Sequence, residues 1–423
     1  MQAQSAPLPS SSQSTPGGLH QADFGLSTVQ LPAFGLKRTP PRAVEQRQAN
    51  YESIFDFDTL FYDVFREADG RGVVCIGPPL LDNEAAVSAA TFGVPGSPVP
   101  LHAAYRAPRS DFQPSCRFRL TGAALAGADR ISITVSGREI VVPIRPSGRD
   151  LLKGRRVLLT LSKNNPVPWI RDWLQFNIRV HGADALLLYD NGSTIYETAD
   201  LIEQLAGIPE LVSCLVVPWR FPIGPGVGRA QAQDSYYCQP GMLEHARWRY
   251  CAEARSVLNT DIDELVVTSD GASLFEHVER SGAAALQFPG VWAEMTGSPG
   301  ESAADRVRHT DCLYGRRSQW RFGRLRRRRL LRTKWIAVPE RCGDDLDWCV
   351  HNVRSTTAET SAVPVAQADG TVYRHFRQIN TGWQSDRARL RPYSRIYHRY
   401  DRPLAGALAI AFPERTPGST RGG

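Results

Sequence analysis

Residues 256–267, SVLNTDIDELVV, set three acidic side chains, Asp261, Asp263 and Glu264, between two apolar runs. The apolar runs have the composition of a buried strand, and the carboxylates would stand at its exposed end. On an extended backbone, residues two apart project to the same side, so Asp261 and Asp263 would face one ligand together. Hard divalent ions take oxygen ligands, commonly one or two carboxylates plus substrate phosphates. An Asp-x-Asp at a strand end therefore suits a metal-bound diphosphate. The competing reading of the same triplet is a solvated acidic turn.

Upstream, Trp169, Ile170, Trp173, Phe176, Ile178 and Val180 recur with helical period, and His181-Gly182 ends the helix with a left-handed cap. An apolar strand, Ala185 to Tyr189, runs into Asp190-Asn191-Gly192-Ser193-Thr194. Ahead of the helix, VLLTLSKNNP (157–166) is another strand entering a polar loop. Strand, helix, strand and acidic turn open a doubly wound α/β sheet, which binds ligands beyond the carboxyl ends of its strands.

Taken in order, LSKNNPVPWIRDW, HGADALLLYDNGST, LEHARWRYCAEARSVLNTDIDELVV, FPGVWAEMTGS (288–298), RTKWIAVPE (332–340), VHNVR (350–354) and HFRQINTGW (375–383) carry a family resemblance. The series resembles GT-A fold glycosyltransferases, most closely glycosyltransferase family 92 and its bacterial relatives, over residues 150–400. The resemblance implies an α/β, GT-A type doubly wound and mostly parallel sheet of the nucleotide-diphospho-sugar transferase kind. It implies a nucleotide-sugar donor, a glycan or lipid-linked saccharide acceptor, and inversion at the anomeric carbon. Analogy with such relatives suggests assembly of a bacterial surface or capsular polysaccharide.

On this resemblance Mn2+, or Mg2+, is held by Asp263, with Asp261 facing either the ribose or the ion's water shell. Glu264 would stand behind them or start a helix. Ser162, Lys163 and Asn164 would lie under the nucleotide, and Asp190 and Asn191 beside its base or ribose. The plainer readings are a polar loop for the first three and a turn cap for Asp190. A late histidine is expected on the ion, His351 first and His375 in reserve, imidazole being acceptable to manganese. Trp292 would stack on a sugar face or pack in the core. One carboxylate should act as general base, Glu294 first and Asp311 behind it. Gln239, His245 and Arg247 lie before or on the helix leading into the Asp-x-Asp strand, where His245 and Arg249 share a face at four-residue spacing. Contact of one of these bases with donor phosphate competes with surface ion pairing, the simpler expectation.

At 423 residues and net charge +7, fifty basic residues are largely offset by 43 acidic ones, so composition does not point to nucleic acid. The single basic cluster, Arg324-Leu325-Arg326-Arg327-Arg328-Arg329 with Arg332 and Lys334, lacks interleaved stacking aromatics. It suits an acidic acceptor, the negative surface of a membrane, or a plain solvated face. Eight cysteines without a C-x-x-C pair argue against a zinc ribbon or redox motif, and reduced thiols are expected.

The expected division is a disordered tail (1–48), a β-rich domain (49–150), the catalytic domain (151–412) and a second tail (413–423). RISITVSGREIVVPIRP (130–146) reads as a hairpin. Neither a signal-peptide core nor an apolar run of membrane-spanning length is visible. The expected location is cytoplasmic, with peripheral contact at the inner face of the membrane through Arg324–Arg329. Two other classes compete. A nucleotidyltransferase would need a Gly-rich basic phosphate loop, which is not found, and a noncatalytic glycan- or membrane-surface binding protein would tolerate loss of Asp263.

Overall fold

The computed structural model describes residues 25–67, 69–108, 113–225, 234–297, 307–317, 319–321, 324–326, 330–344, 346–355, 365–381 and 390–415. The apolar runs assemble into one mixed sheet of eleven strands. At its centre Arg156–Ser162 lies parallel to Ala185–Asp190 on one side and to Ser256–Asn259 on the other. Ser213–Pro218 extends the parallel part beyond Ala185–Asp190. Successive residues of the central strand feed opposite cores: Leu158 packs with Trp173 and Phe176, and Leu159 with Trp219 and Trp335. Burial on both faces is why these strands read as unbroken apolar runs rather than alternating ones.

The helix Val167–His181 crosses between the first two strands and buries Trp169, Ile170, Trp173, Leu174 and Phe176. Gly182 ends it at φ 73°, a left-handed conformation that costs glycine nothing, and its amide returns to the Ile178 carbonyl at 2.8 Å.

Beyond Ser256–Asn259 the sheet changes character. Leu331–Ala337 runs antiparallel to it, and Ala285–Glu294 antiparallel in turn to Leu331–Ala337. The sheet is therefore mixed, not mostly parallel as expected. A parallel return needs a crossover of a dozen or more residues, usually a helix, and the described residues between Glu294 and Leu331 supply only a single 3-10 turn and short strands. The sheet ends on Tyr314–Arg316 and His398–Tyr400.

Residues 63–143 make two smaller sheets. One orders Asp63–Arg66, Val73–Gly77, Cys116–Thr121 and His102–Arg106; the other orders Thr91–Gly93, Arg130–Val135 and Arg138–Pro143. The last two strands are joined through Ser136 (φ 51°) and Gly137 (φ 76°), a two-residue turn with both central residues left-handed. Tyr62, Phe65, Val74 and Ile76 pack into the same core as Leu159 and Trp219 of the large sheet. At that junction the fully buried Asp63 reaches His245 Nε2 at 2.9 Å and Arg249 Nη1 at 2.7 Å, and it accepts from the Ser27 amide at 2.7 Å. His245 Nδ1 meets the Tyr189 hydroxyl at 2.8 Å. His245 and Arg249 are thus buried partners, not surface ion pairs.

Residues 25–48, expected within a tail, pack on these small sheets. Val29–Gln30 pairs with Thr59–Phe61, and the buried Arg38 donates to the carbonyls of Pro79, Asp56 and Thr59. Arg415, past the expected start of the second tail, donates to Asp172 at 2.9 Å. All eight cysteines are buried and unbridged.

Candidate active site

Ser256–Asn259 stops at the carboxyl edge of the sheet, and the chain turns at once, with the Glu264 amide donating to the Asp261 carbonyl at 3.0 Å. Glu264–Val267 then departs as a separate strand paired with Val372–Phe376. Asp261 and Asp263 therefore sit in a tight turn, not on the extended strand end that the sequence suggested. The turn gathers the carboxylates: ligand oxygens of Asp261, Asp263 and Glu264 lie within 4.8 Å of one another. Glu264 opens a strand, not a helix, and its Oε2 accepts from the Asp261 amide at 3.0 Å.

Two basic side chains enter this cluster from neighbouring strands. Trp335 pairs with Asn259, so Lys334 stands one residue beyond the paired register, against the turn. Its Nζ lies 2.7 Å from Asp261 Oδ2 and 3.1 Å from Glu264 Oε2. Opposite Glu264, His375 places Nε2 2.9 Å from Asp263 Oδ2 and Nδ1 3.6 Å from Glu264 Oε1. Trp292, paired with His375 on its other side, brings its ring centroid to 4.4 Å from the imidazole.

The electrostatics follow from burial and crowding. Burial, reinforced by Asp261 and Asp263 and opposed by Lys334 and His375, pushes the Glu264 carboxyl up to about 7. Burial alone would depress the Lys334 ammonium, but Asp261 and Glu264 hold it above the usual lysine value. Burial and Lys334 bring the His351 imidazole down to about 4. Three convergent carboxylates with an imidazole at one end fit a hard or borderline divalent ion of the manganese type.

Of the two late histidines, His375 is the one in contact with Asp263. His351 lies on the Lys334 side, with its carbonyl accepting from Thr333 Oγ1 and its Nδ1 buried without a hydrogen-bond partner. It lines a cleft of about 310 Å3 with Arg332, Thr333, Cys349, Val350, Asn352 and Arg354.

Along the same edge, Ser162 and Asp190 end paired parallel strands. Asn164, at φ 54°, donates its amide to Ser193 Oγ at 2.9 Å and accepts from the Thr194 amide at 2.7 Å. Asp190 accepts from Ser193 Oγ at 2.5 Å and from its amide at 3.2 Å, so it caps the turn that follows. Asn191 is turned inward, donating to the carbonyls of Trp219 and Phe221 at 2.7 and 2.9 Å. Lys163 shares the Ser162–Asn164 loop.

The two expected bases are otherwise engaged. Glu294 is buried between Arg316 Nε at 2.9 Å and His398 Nε2 at 3.3 Å, and although burial pushes its carboxyl up, Arg316 and His398 hold it below the usual value. Asp311 is exposed and accepts from the Arg308 amide at 2.8 Å, closing a short turn. Of the basic run, Arg324–Arg326 forms a strand paired with Gln319–Arg321, while Arg327, Arg328 and Arg329 lie outside the described residues. Lys334 was missed as a member of the site because it closes a basic run. The signal available was the apolar run Trp335, Ile336 and Ala337 that follows it directly.

No protein family matches the chain, and no curated protein does. Among solved structures, the chain is similar to the bifunctional glycosyltransferase WbbM in its apo form, at 14% identity and a TM-score of 0.22. That match covers 33% of this chain and 23% of WbbM. It is also similar to TarS of S. aureus, at 13% identity and a TM-score of 0.20, over 36% of this chain and 24% of TarS. The matched part thus spans about a quarter of each protein's length.

Proposed function

We propose that this chain is a metal-dependent GT-A type glycosyltransferase that moves a sugar from a nucleotide-sugar to a hydroxyl of a glycan or lipid-linked saccharide, with inversion. The observation that carries this reading is the meeting of Asp261, Asp263, Glu264 and His375 at the carboxyl edge of the parallel strands. The ordered resemblance in sequence supports it, and analogy with such relatives points to surface-polysaccharide assembly.

In this reading Asp263 and His375 hold the ion, with Glu264 behind them. Bound there, a divalent ion offsets the negative charge that grows on the departing diphosphate. Lys334 holds one oxygen of Asp261 in place, leaving the second for a donor hydroxyl or an ion-bound water. The loops bearing Ser162, Lys163, Asn164 and Asp190 cradle the nucleotide, and Trp292 offers a ring face to the sugar. The acceptor hydroxyl must shed a proton. Glu294 would take it only after release from Arg316 and His398, and Asp311 only after leaving its turn.

The test is a panel of nucleotide-sugars incubated with the protein and Mn2+ in the absence of acceptor. One donor should be hydrolysed slowly, and chelation should stop it. Release of pyrophosphate would instead indicate a nucleotidyltransferase, and no metal-dependent turnover of any donor would indicate a binding protein.

A further inference from the structure

We propose that residues 391–402 form a surface that docks the protein on an anionic lipid bilayer. The segment reads RPYSRIYHRYDR. Four of the ten large apolar side chains that the described residues leave exposed fall within it: Tyr393 (51%), Ile396 (73%), Tyr397 (44%) and Tyr400 (39%). Arg391, Arg395, Arg399 and Arg402 alternate with them and are also exposed. Its lone acidic residue, Asp401, is taken up by Arg374 at 2.8 and 3.0 Å.

The segment is pinned. The Tyr397 and His398 amides donate to the Ser394 carbonyl at 3.0 and 2.8 Å, and the Ser394 amide donates to His398 Nδ1 at 3.0 Å. His398 turns inward to Glu294, so the turn holds Ile396 and Tyr397 outward. His398–Tyr400 then pairs with Tyr314–Arg316, whose Tyr314 ring lies 5.3 Å from Tyr393 and 6.0 Å from Tyr400.

Tyrosines settle at the level of lipid headgroups, an exposed aliphatic side chain gains by entering the acyl region, and arginines pair with anionic headgroups. A glycan would use the tyrosine faces but has no use for Ile396, the most exposed residue of the set. The surface is joined to the site through Glu294, which ends the strand bearing Trp292 and pairs with both Arg316 and His398. Given the reading above, this arrangement would bring a lipid-linked acceptor to the side of the sheet where Trp292 stands.

The test sediments the full chain with vesicles of phosphatidylcholine alone or mixed equally with phosphatidylglycerol. The wild-type protein should pellet with the mixed vesicles, and less so in high salt. Ile396→Asp with Tyr397→Ser should cut the bound fraction about tenfold, and Arg395→Gln with Arg399→Gln should erase the preference for phosphatidylglycerol. Thermal melting shows that each variant is folded. Wild-type protein left in the supernatant with both vesicles, or an Ile396/Tyr397 variant that pellets like wild type, would overturn the proposal. Retention on dextran sulfate without pelleting would overturn it in favour of an anionic glycan. Acceptor-free donor hydrolysis, measured on the same preparations, reports separately on the glycosyltransferase reading.

Discussion

Lys334 holds its ammonium 2.7 Å from Asp261 while only 1% of its side chain is exposed. A buried lysine is stable only when paired, and here it offsets part of the charge of three crowded carboxylates. The cluster is therefore a set of three carboxylates with one cation already built in.

Lys334→Met should melt at a lower temperature than wild type. Breaking a buried pair typically costs 3–5 kcal/mol, and the partial exposure of Asp261 reduces this to about 2 kcal/mol. Added Mn2+ should narrow the gap by supplying the missing positive charge. Thermal melts of both proteins with and without Mn2+ decide it, and a gap that stays constant would mean the ion binds elsewhere.

Asp263→Asn should abolish transfer and weaken Mn2+ binding beyond detection by calorimetry, with circular dichroism unchanged because the side chain sits partly exposed in a turn. Near-normal turnover with the same metal requirement would remove Asp263 from the ion.

His375→Ala should raise the Mn2+ concentration for half-maximal activity about tenfold or more, and His351→Ala much less. The contact of His375 with Asp263 sets this order. The opposite order would give the role to His351.

Asp172 provides a pH test away from the site. Burial would push its carboxyl up, but the neighbouring His309 and Arg308 bring it down to about 2. A folded value below the unfolded one stabilises the protein above the unfolded value, and that stability is lost as pH falls through the folded one. Asp172 should thus contribute on the order of 2 kcal/mol near neutrality, fading between about pH 4 and pH 2. Asp172→Asn should lower the melting temperature at pH 7 and converge on wild type as the medium is acidified. A melting difference independent of pH would contradict this.

The parallel strands, the Val167–His181 helix and its glycine cap were legible because each is written in a local pattern of apolar spacing and turn residues. The meeting of His375 and Lys334 with Asp263 and Asp261 was not. Those contacts depend on which strand lies beside which, and pairing across 73 or more positions leaves no periodic trace. Local pattern also misled at Asp261–Asp263, where two apolar runs read as one strand because a sharp turn between them needs neither glycine nor proline. Glu294 stood out as an acidic residue near Trp292, and only the fold reveals Arg316 and His398 waiting for it.

The buried contact of Asp63 with His245 and Arg249 has a consequence for how the chain can be divided. A fragment starting at residue 151 would keep Arg249 while losing its buried counter-ion, and would bare the apolar surface that Phe65 and Ile76 cover. The small sheets and the large one should accordingly melt in a single cooperative transition. The shortest piece that folds on its own must begin ahead of Ser27, whose amide completes the Asp63 carboxylate.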